Sequence, residues 1–501
     1  FIVLFFSPQY GIVLDAGSSR TTVYVYEWPA EKENDTGVVS QTFKCNVKGP
    51  GISSYESNPG ALVKPFDDCL NKVKERIPVH LHKNTSVYLG ATAGMRLLRY
   101  GRNFNSSVSQ PFEFRGAQII TGREEGVYGW ITANYLMGNF LEGWGGENKT
   151  KETMGALDLG GASTQISFIS EEPQENFNST LQVKLYGYNY NVYTHSFQCY
   201  GRDEAEKRLL ALLLQKSNTS SNVGNPCYPR NYNTALTMKY FSGSLCTQSL
   251  RPTNYYPNQL VNFHGTGDPG LCQEMVSLLF NFTACRDGED CPFNGIHQPK
   301  LKGNFVAFSG FYYTINALNL SGHFSLADFN SSMWFFCSQS WAQLQFMLPK
   351  FEEIYARSYC FSASFIYYLL VHGYNFDAET WPQIHFQKEV SNNYFLLLMY
   401  IDGVLAFRWQ REKAYNTCVI AAFLSSLTSI FLLKNRVLGT NLYMSFLKLL
   451  LRNLCFQIRR DGNSSKLGCY IKCGPPSALT PSFPLCYCTE PYSKTLSQTI
   501  S

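Results

Sequence analysis

The sequence predicts an α/β fold. Short runs rich in β-branched and aromatic residues alternate with helical segments along the first third of the chain. Two of these runs end in the same kind of turn, an Asp followed by Gly and Ser, and lead straight into a second strand. The 501 residues are 45% hydrophobic and 15% aromatic, enough to build the cores of two to four domains or of two large lobes.

The elements read in order. Ile12-Val13-Leu14 is a buried strand, Asp15 to Ser19 a turn and Thr21 to Tyr26 the returning strand. Val87 to Gly90 is a third strand running into Ala91-Thr92-Ala93-Gly94 and a helix. Ala117 to Ile120 is a strand that stops at Thr121-Gly122, with a helix from Glu124 to about Phe140. Met154 to Ser167 is again strand, Gly-rich turn and strand. Asp158-Leu-Gly-Gly-Ala-Ser163 thus repeats the pattern at Asp15, and two such hairpins facing each other would grip one phosphate chain from both sides.

Composition shifts near Val390. Cys418 to Leu433 is a 16-residue apolar run, shorter than the ~20 residues that span a bilayer. Leu442 to Arg460 is apolar and basic, and 474–501 has the composition of a disordered tail. Phe1 to Phe6 suits the remnant of a membrane anchor or of a signal peptide, or equally a short buried strand.

The net charge of +5 is mild, and no Lys/Arg run marks a nucleic-acid surface. Ten of the 16 cysteines lie between Cys45 and Cys360 without CxxC spacing, which reads as a disulfide framework. Glycosylation sequons at Asn34, Asn84, Asn178, Asn281 and Asn319 agree with a secretory route.

Four segments carry candidate chemistry. In Asp15 to Thr21, bare glycine backbone makes an anion nest, hydroxyls add donors, and Asp15 suits a hydrated metal ion. Asp158 to Gln165 repeats this logic, with Ser163 and Gln165 as groups able to orient a water. Arg123-Glu124-Glu125 opens a helix, where carboxylates ordinarily complement the dipole. One of them facing a cleft would instead take a proton from water attacking phosphorus. Gly90 to Arg96 places Thr92 among small residues near a phosphate.

These four segments, in this order, resemble the first four apyrase conserved regions of the ecto-nucleoside triphosphate diphosphohydrolases. Phe305 to Tyr313 and Trp381 to Phe386 are similar as well. The resemblance runs from about Tyr10 to Val390 and is strongest to the third cell-surface type. It implies two RNase-H-like lobes of the actin and hexokinase superfamily, at 11–121 and 122–390, with the active site between them. Residues 1–10 would be an anchor remnant and 391–501 a tail unlike the family.

By resemblance, Glu125 is the catalytic base, and Ser163 and Gln165 position the water. Asp15 and Asp158 hold Ca²⁺ or Mg²⁺, largely through waters. Ser18, Ser19, Arg20 and Thr21 form one phosphate loop, Gly160, Gly161 and Ala162 the other, with Thr92 beside them. Tyr313 and Tyr359 stack on the nucleobase, with core packing the alternative for both, and Arg202 borders the base. Water attacks directly, so no covalent intermediate is implied. The expected disulfides are Cys45–Cys69, Cys199–Cys246, Cys227–Cys272, Cys285–Cys291 and Cys337–Cys360. The implied partners are extracellular ATP, ADP and other nucleotides, not nucleic acid. The resemblance also implies a cell-membrane location with the catalytic part outside, and homo-oligomers as an option.

The resemblance breaks down after Trp381-Pro-Gln, where no Trp-x-Leu-Gly-Tyr of a fifth region follows. The Arg99 to Pro111 linker is also short. An incomplete first lobe would leave a nucleotide-binding glycoprotein without turnover as the alternative to an active hydrolase.

Overall fold

The structure, a computed structural model, describes residues 8–28, 39–56, 58–98, 111–140, 153–170, 179–185, 188–218, 220–284 and 293–388, and the backbone of 470–473 and 486–489. Residues 1–405 form one compact unit and 406–501 another.

Two mixed sheets dominate the first unit, and each is built on the same plan. The first has the order β3-β2-β1-β4-β5, from β1 (Gln9–Ala16), β2 (Thr21–Trp28), β3 (Ser40–Asn46), β4 (Ser86–Ala91) and β5 (Glu113–Ile119). β1, β2 and β3 pair antiparallel, then β4 and β5 add in parallel beside β1. The second sheet is assembled from β6 (Gly155–Leu159), β7 (Ser163–Ile169), β8 (Thr180–Leu185), β9 (Tyr188–Gln198), β13 (Phe305–Ser309) and β14 (Ile384–Phe386). Its order is β14-β13-β6-β7-β9-β8, again an antiparallel set with two parallel strands beside its first member, except that β9 here lies between β7 and β8. The recurrent Asp-x-Gly pattern therefore marks one position in both sheets: the turn of the first hairpin. A small third sheet, β10 (Asn222–Asn225), β11 (Asn233–Thr237) and β12 (Leu260–Gly265), accompanies the second.

Burial follows from the side chains. Ile12, Val13 and Leu14 are continuously apolar and all buried, as a strand covered on both faces requires. Ile12, Leu14, Val23 and Val25 pack on Phe66, Leu70 and Val73 of helix α1 (Val63–Lys74). The helix after Thr92 is one turn, α2 (Ala93–Arg96). Helix α3 spans Gly122–Leu136, not Glu124 to Phe140. A capping box at Thr121 starts it earlier, and Gly138 at φ +71° lies just past its end. Val127, Trp130 and Ile131 of α3 join Val13, Tyr24 and Tyr26 of the first sheet to Ala156, Val306 and Phe308 of the second. A larger core surrounds helix α4 (Arg202–Lys216).

Among the described residues four disulfides link Cys45–Cys69, Cys199–Cys246, Cys227–Cys272 and Cys337–Cys360. Cys285–Cys291, Phe1 to Phe6, nearly all of the Arg99 to Pro111 linker, the apolar runs after Val390 and any fifth region lie outside the described residues. Asn84, Asn281 and Asn319 are exposed. In the second unit Tyr470–Cys473 pairs antiparallel with Cys486–Thr489. The latter falls inside the stretch read as disordered, where Cys-Tyr-Cys-Thr supplies β-prone residues. Among the described residues no helix is long and apolar enough to cross a membrane.

Candidate active site

A cleft of about 630 Å³ opens where the two first hairpins meet α2, α3 and α4. Asp15, Gly17, Ser18, Ser19 and Arg20 line it from the β1–β2 turn, and Asp158, Gly160, Gly161 and Ser163 from the β6–β7 turn. The turns owe their shape to the short loops: Gly160 N donates to Ser163 O at 3.0 Å, closing the second one tightly.

The capping box decides which adjacent carboxylate enters the cleft. Glu124 Oε2 accepts from the Thr121 backbone N–H and hydroxyl, both at 2.8 Å. That commits Glu124 to the helix end and leaves Glu125 lining the cleft. Gly126 lets this helix lie close to the second sheet, since a Cβ there would fall 2.2 Å from Thr194 Oγ1 and 2.6 Å from Ser167 Oγ.

Glu125 Oε2 is surrounded by donors. Arg96 Nη2 donates at 2.6 Å and Gln165 Nε2 at 3.0 Å. Gln165 Nε2 also lies 2.7 Å from Ser163 Oγ and 2.9 Å from Ser196 Oγ. Its Oε1 is buried with no partner, an acceptor left for a water. Burial pushes the Glu125 carboxyl above its usual range, and Arg96 and Ser163 pull it back. Asp158 is pushed up to about 7, first by burial, then by the nearby charges of Glu125 and Asp15, against a hydrogen bond from Ser309.

The donor set suits a divalent cation. Asp15 and Asp158 end parallel positions of the two hairpins, and Asp158 Oδ1 is buried without a hydrogen-bond partner. Three acidic groups converging in one cleft call for a positive charge. Among the described residues no group of three His, Cys, Asp or Glu side chains could hold a metal ion directly, so the two aspartates fit an ion that keeps most of its water.

Tyr313, Tyr355, Tyr359, Lys350 and Phe351 complete the lining of the cleft. Arg202 is held by Asp203 at 2.7 Å, Glu206 at 3.4 Å and the Ser358 hydroxyl, and its guanidinium lies 5.6 Å from the centre of the Tyr355 ring.

The model of the GDA1/CD39 (nucleoside phosphatase) family matches residues 6–398. The chain belongs to this family. It is 62% identical to human ectonucleoside triphosphate diphosphohydrolase 3 over 401 residues, 77% of this chain and 76% of that one. Identity to chicken ectonucleoside triphosphate diphosphohydrolase 2 is 43% over 446 residues, 85% and 90% of the two chains. Among solved structures, a nucleoside triphosphate hydrolase from Neospora caninum superposes with a TM-score of 0.51 at 14% identity, covering 77% of this chain and 89% of that one. That likeness supports the two-lobed α/β fold.

With the GDA1/CD39 family established, the placement of each expected residue is informative. Asp15, Ser18, Ser19, Arg20, Thr92, Glu125, Asp158, Gly160, Gly161, Ser163, Arg202, Tyr313 and Tyr359 all line the cleft. Gln165 sits behind Glu125, touching it rather than lining the cleft wall. Thr21 is buried within β2. Ala162 borders a second cavity of about 360 Å³, which shares Ser18, Gly161 and Asp203 with the first. Tyr359 both lines the cleft and packs edge-on against Phe351 at 5.6 Å. Sequence reasoning missed Arg96, Tyr355 and Lys350. Arg96 was visible as the one charge closing a run of small residues; Tyr355 carried no signal beyond standing one helical turn before Tyr359.

Proposed function

We propose that this chain hydrolyses nucleoside tri- and diphosphates to monophosphates by direct attack of water on the terminal phosphate. The observation that carries the reading is Glu125, freed by the capping box and placed in the cleft between two phosphate-type loops. The activity for which its relatives are named agrees.

In this reading the β1–β2 loop at Gly17 to Arg20, with Thr21 behind it, and the loop at Gly160 to Ala162 hold phosphate oxygens from two sides. Thr92 stands beside them. Glu125 accepts the proton of the attacking water, while Ser163 and the unpartnered Gln165 Oε1 orient it. Arg20 and the backbone N–H groups of both loops meet the charge that grows on the transferred phosphoryl group. Asp15 and Asp158 would hold Ca²⁺ or Mg²⁺, which neutralises phosphate charge and favours the leaving group. Tyr313 and Tyr359 sandwich the base, and Arg202 borders it.

The lobes are 11–121 and 122–390, with the cleft as their seam. The disulfides and exposed sequons favour the outside of the cell, with attachment to the membrane and self-association as in the family resemblance.

The experiment is phosphate release from ATP and from ADP by the full chain made in a secretory host, with Ca²⁺ or Mg²⁺ and with excess EDTA. The expected result is release with either ion and none with EDTA. A folded chain that binds nucleotide without releasing phosphate would overturn the hydrolase reading, and undiminished release in EDTA would overturn the metal role.

A further inference from the structure

Two dipeptides of the same sequence meet at the edge of the second sheet. His323-Phe324 lies just before the Leu326–Cys337 helix, and His385-Phe386 belongs to the edge strand β14. The Phe324 and Phe386 rings stack with centroids 5.4 Å apart and planes 21° apart. Both also pack on the buried Trp381, at 6.4 Å and 6.1 Å. This apolar clasp brings the two imidazoles together, with centroids 5.3 Å apart and planes at 81°. Neither histidine lines the cleft.

The spacing permits metal ligation. A Zn–N bond of about 2.0–2.1 Å puts each imidazole centroid roughly 3.2 Å from the ion, and a tetrahedral angle then separates two centroids by roughly 5.2 Å. His385 Nε2 lies 3.3 Å from Asn304 Oδ1. With Nε2 as the donor, Nδ1 keeps its lone pair, the outer-shell arrangement that orients ligating histidines.

We propose that His323 and His385 form a two-histidine site for a divalent transition-metal ion of the Zn²⁺ or Cu²⁺ class, separate from the nucleotide cleft. Imidazole nitrogen selects such ions over Ca²⁺ and Mg²⁺, which prefer oxygen. Among the described residues no third His, Cys, Asp or Glu completes the group, so water fills the remaining positions.

The test is Zn²⁺ titration by calorimetry into the full chain, without a histidine tag, with free thiols alkylated and excess Mg²⁺ present. Wild type should bind one more equivalent than His323→Ala or His385→Gln, and phosphate release without Zn²⁺ should be the same in all three. In unmutated protein, Zn²⁺ should shield His323 and His385 from diethyl pyrocarbonate in a peptide mass map. Equal stoichiometry in wild type and both variants, or unshielded histidines at saturating Zn²⁺, would overturn the site.

Discussion

Arg96 Nη2 and Glu125 Oε2 lie 2.6 Å apart, and they reach each other from different sheets. Arg96 ends the single turn after β4 of the first sheet, while Glu125 rides on a helix laid against β6, β7 and β9 of the second. The same guanidinium donates to Gln198 Oε1 at 3.2 Å, Ser163 Oγ at 3.3 Å and the Ile120 carbonyl at 2.8 Å. One side chain thus ties the proposed base to both halves of the cleft.

Arg96→Met should move the acid limb of the kcat/KM profile to higher pH. Arg96 lowers the Glu125 pKa against the effect of burial. Without it the carboxyl protonates at a pH where the wild type is still ionised, and a protonated base accepts nothing. Arg96→Lys, which keeps the charge, should reverse part of the shift. An acid limb that does not move would show that the pair is structural only.

Glu125→Gln should cut turnover by roughly 10²-fold or more while changing nucleotide affinity little, because the amide keeps the shape and loses the basicity. Glu124→Gln should keep most activity, since Gln serves as well as Glu in the capping box. Steady-state kinetics and a nucleotide-binding isotherm on both variants check this. If Glu124→Gln were the inactive one, the role would belong to the wrong neighbour.

Stability should fall as pH drops from about 6.5 to about 4, in part through His195. Its ring is half-buried on β9, 4.3 Å from Phe197, and burial lowers its pKa to about 4. Between that value and the unfolded ~6.5, the unfolded chain binds the extra proton, so acid favours unfolding there and the effect levels off below pH 4. The lowering caps the effect at about 3–4 kcal/mol. His195→Gln should flatten this part of a denaturation curve taken against pH; an unchanged slope would assign the loss to other groups.

Reduction should unfold the region from Cys199 to Cys360. Its three described bridges span separations of 47, 45 and 23 residues, each contributing about 3–4 kcal/mol in the loop-entropy picture. The melting temperature should fall by roughly 10 °C or more under reductant. Peptide mapping of the unreduced protein should recover the same pairs, and free thiols at these positions in secreted protein would refute them.

Much of the site was legible because its chemistry is local. The two hairpin turns announce themselves by Asp, Gly and Ser within a few residues, and their equivalence in the two sheets shows even in the linear pattern. The choice between Glu124 and Glu125 rested on resemblance at that level; its physical cause is the Thr121 cap, visible in retrospect as Thr-x-x-Glu. What stayed hidden depends on long-range closure. Arg96 and Gln198 are 102 residues apart, and nothing in either neighbourhood indicates the other. The Tyr355 contact with Arg202 likewise exists only because two distant helices converge.

Gly161 carries a further meaning. A Cβ there would sit 2.6 Å from Ser18 Oγ and equally close to Asp203 Oδ2, so the first hairpin and α4 approach each other across a bare α-carbon. Both atoms are the tips of short side chains, so a methyl group in its place would turn the Ser18 hydroxyl and the Asp203 carboxylate aside rather than move the backbone. It would disturb the Asp203 partner of Arg202 and one phosphate-loop hydroxyl while leaving Glu125, Asp15 and Asp158 as they stand. Gly161 is thus a place where the polar lining of the cleft is tuned from behind.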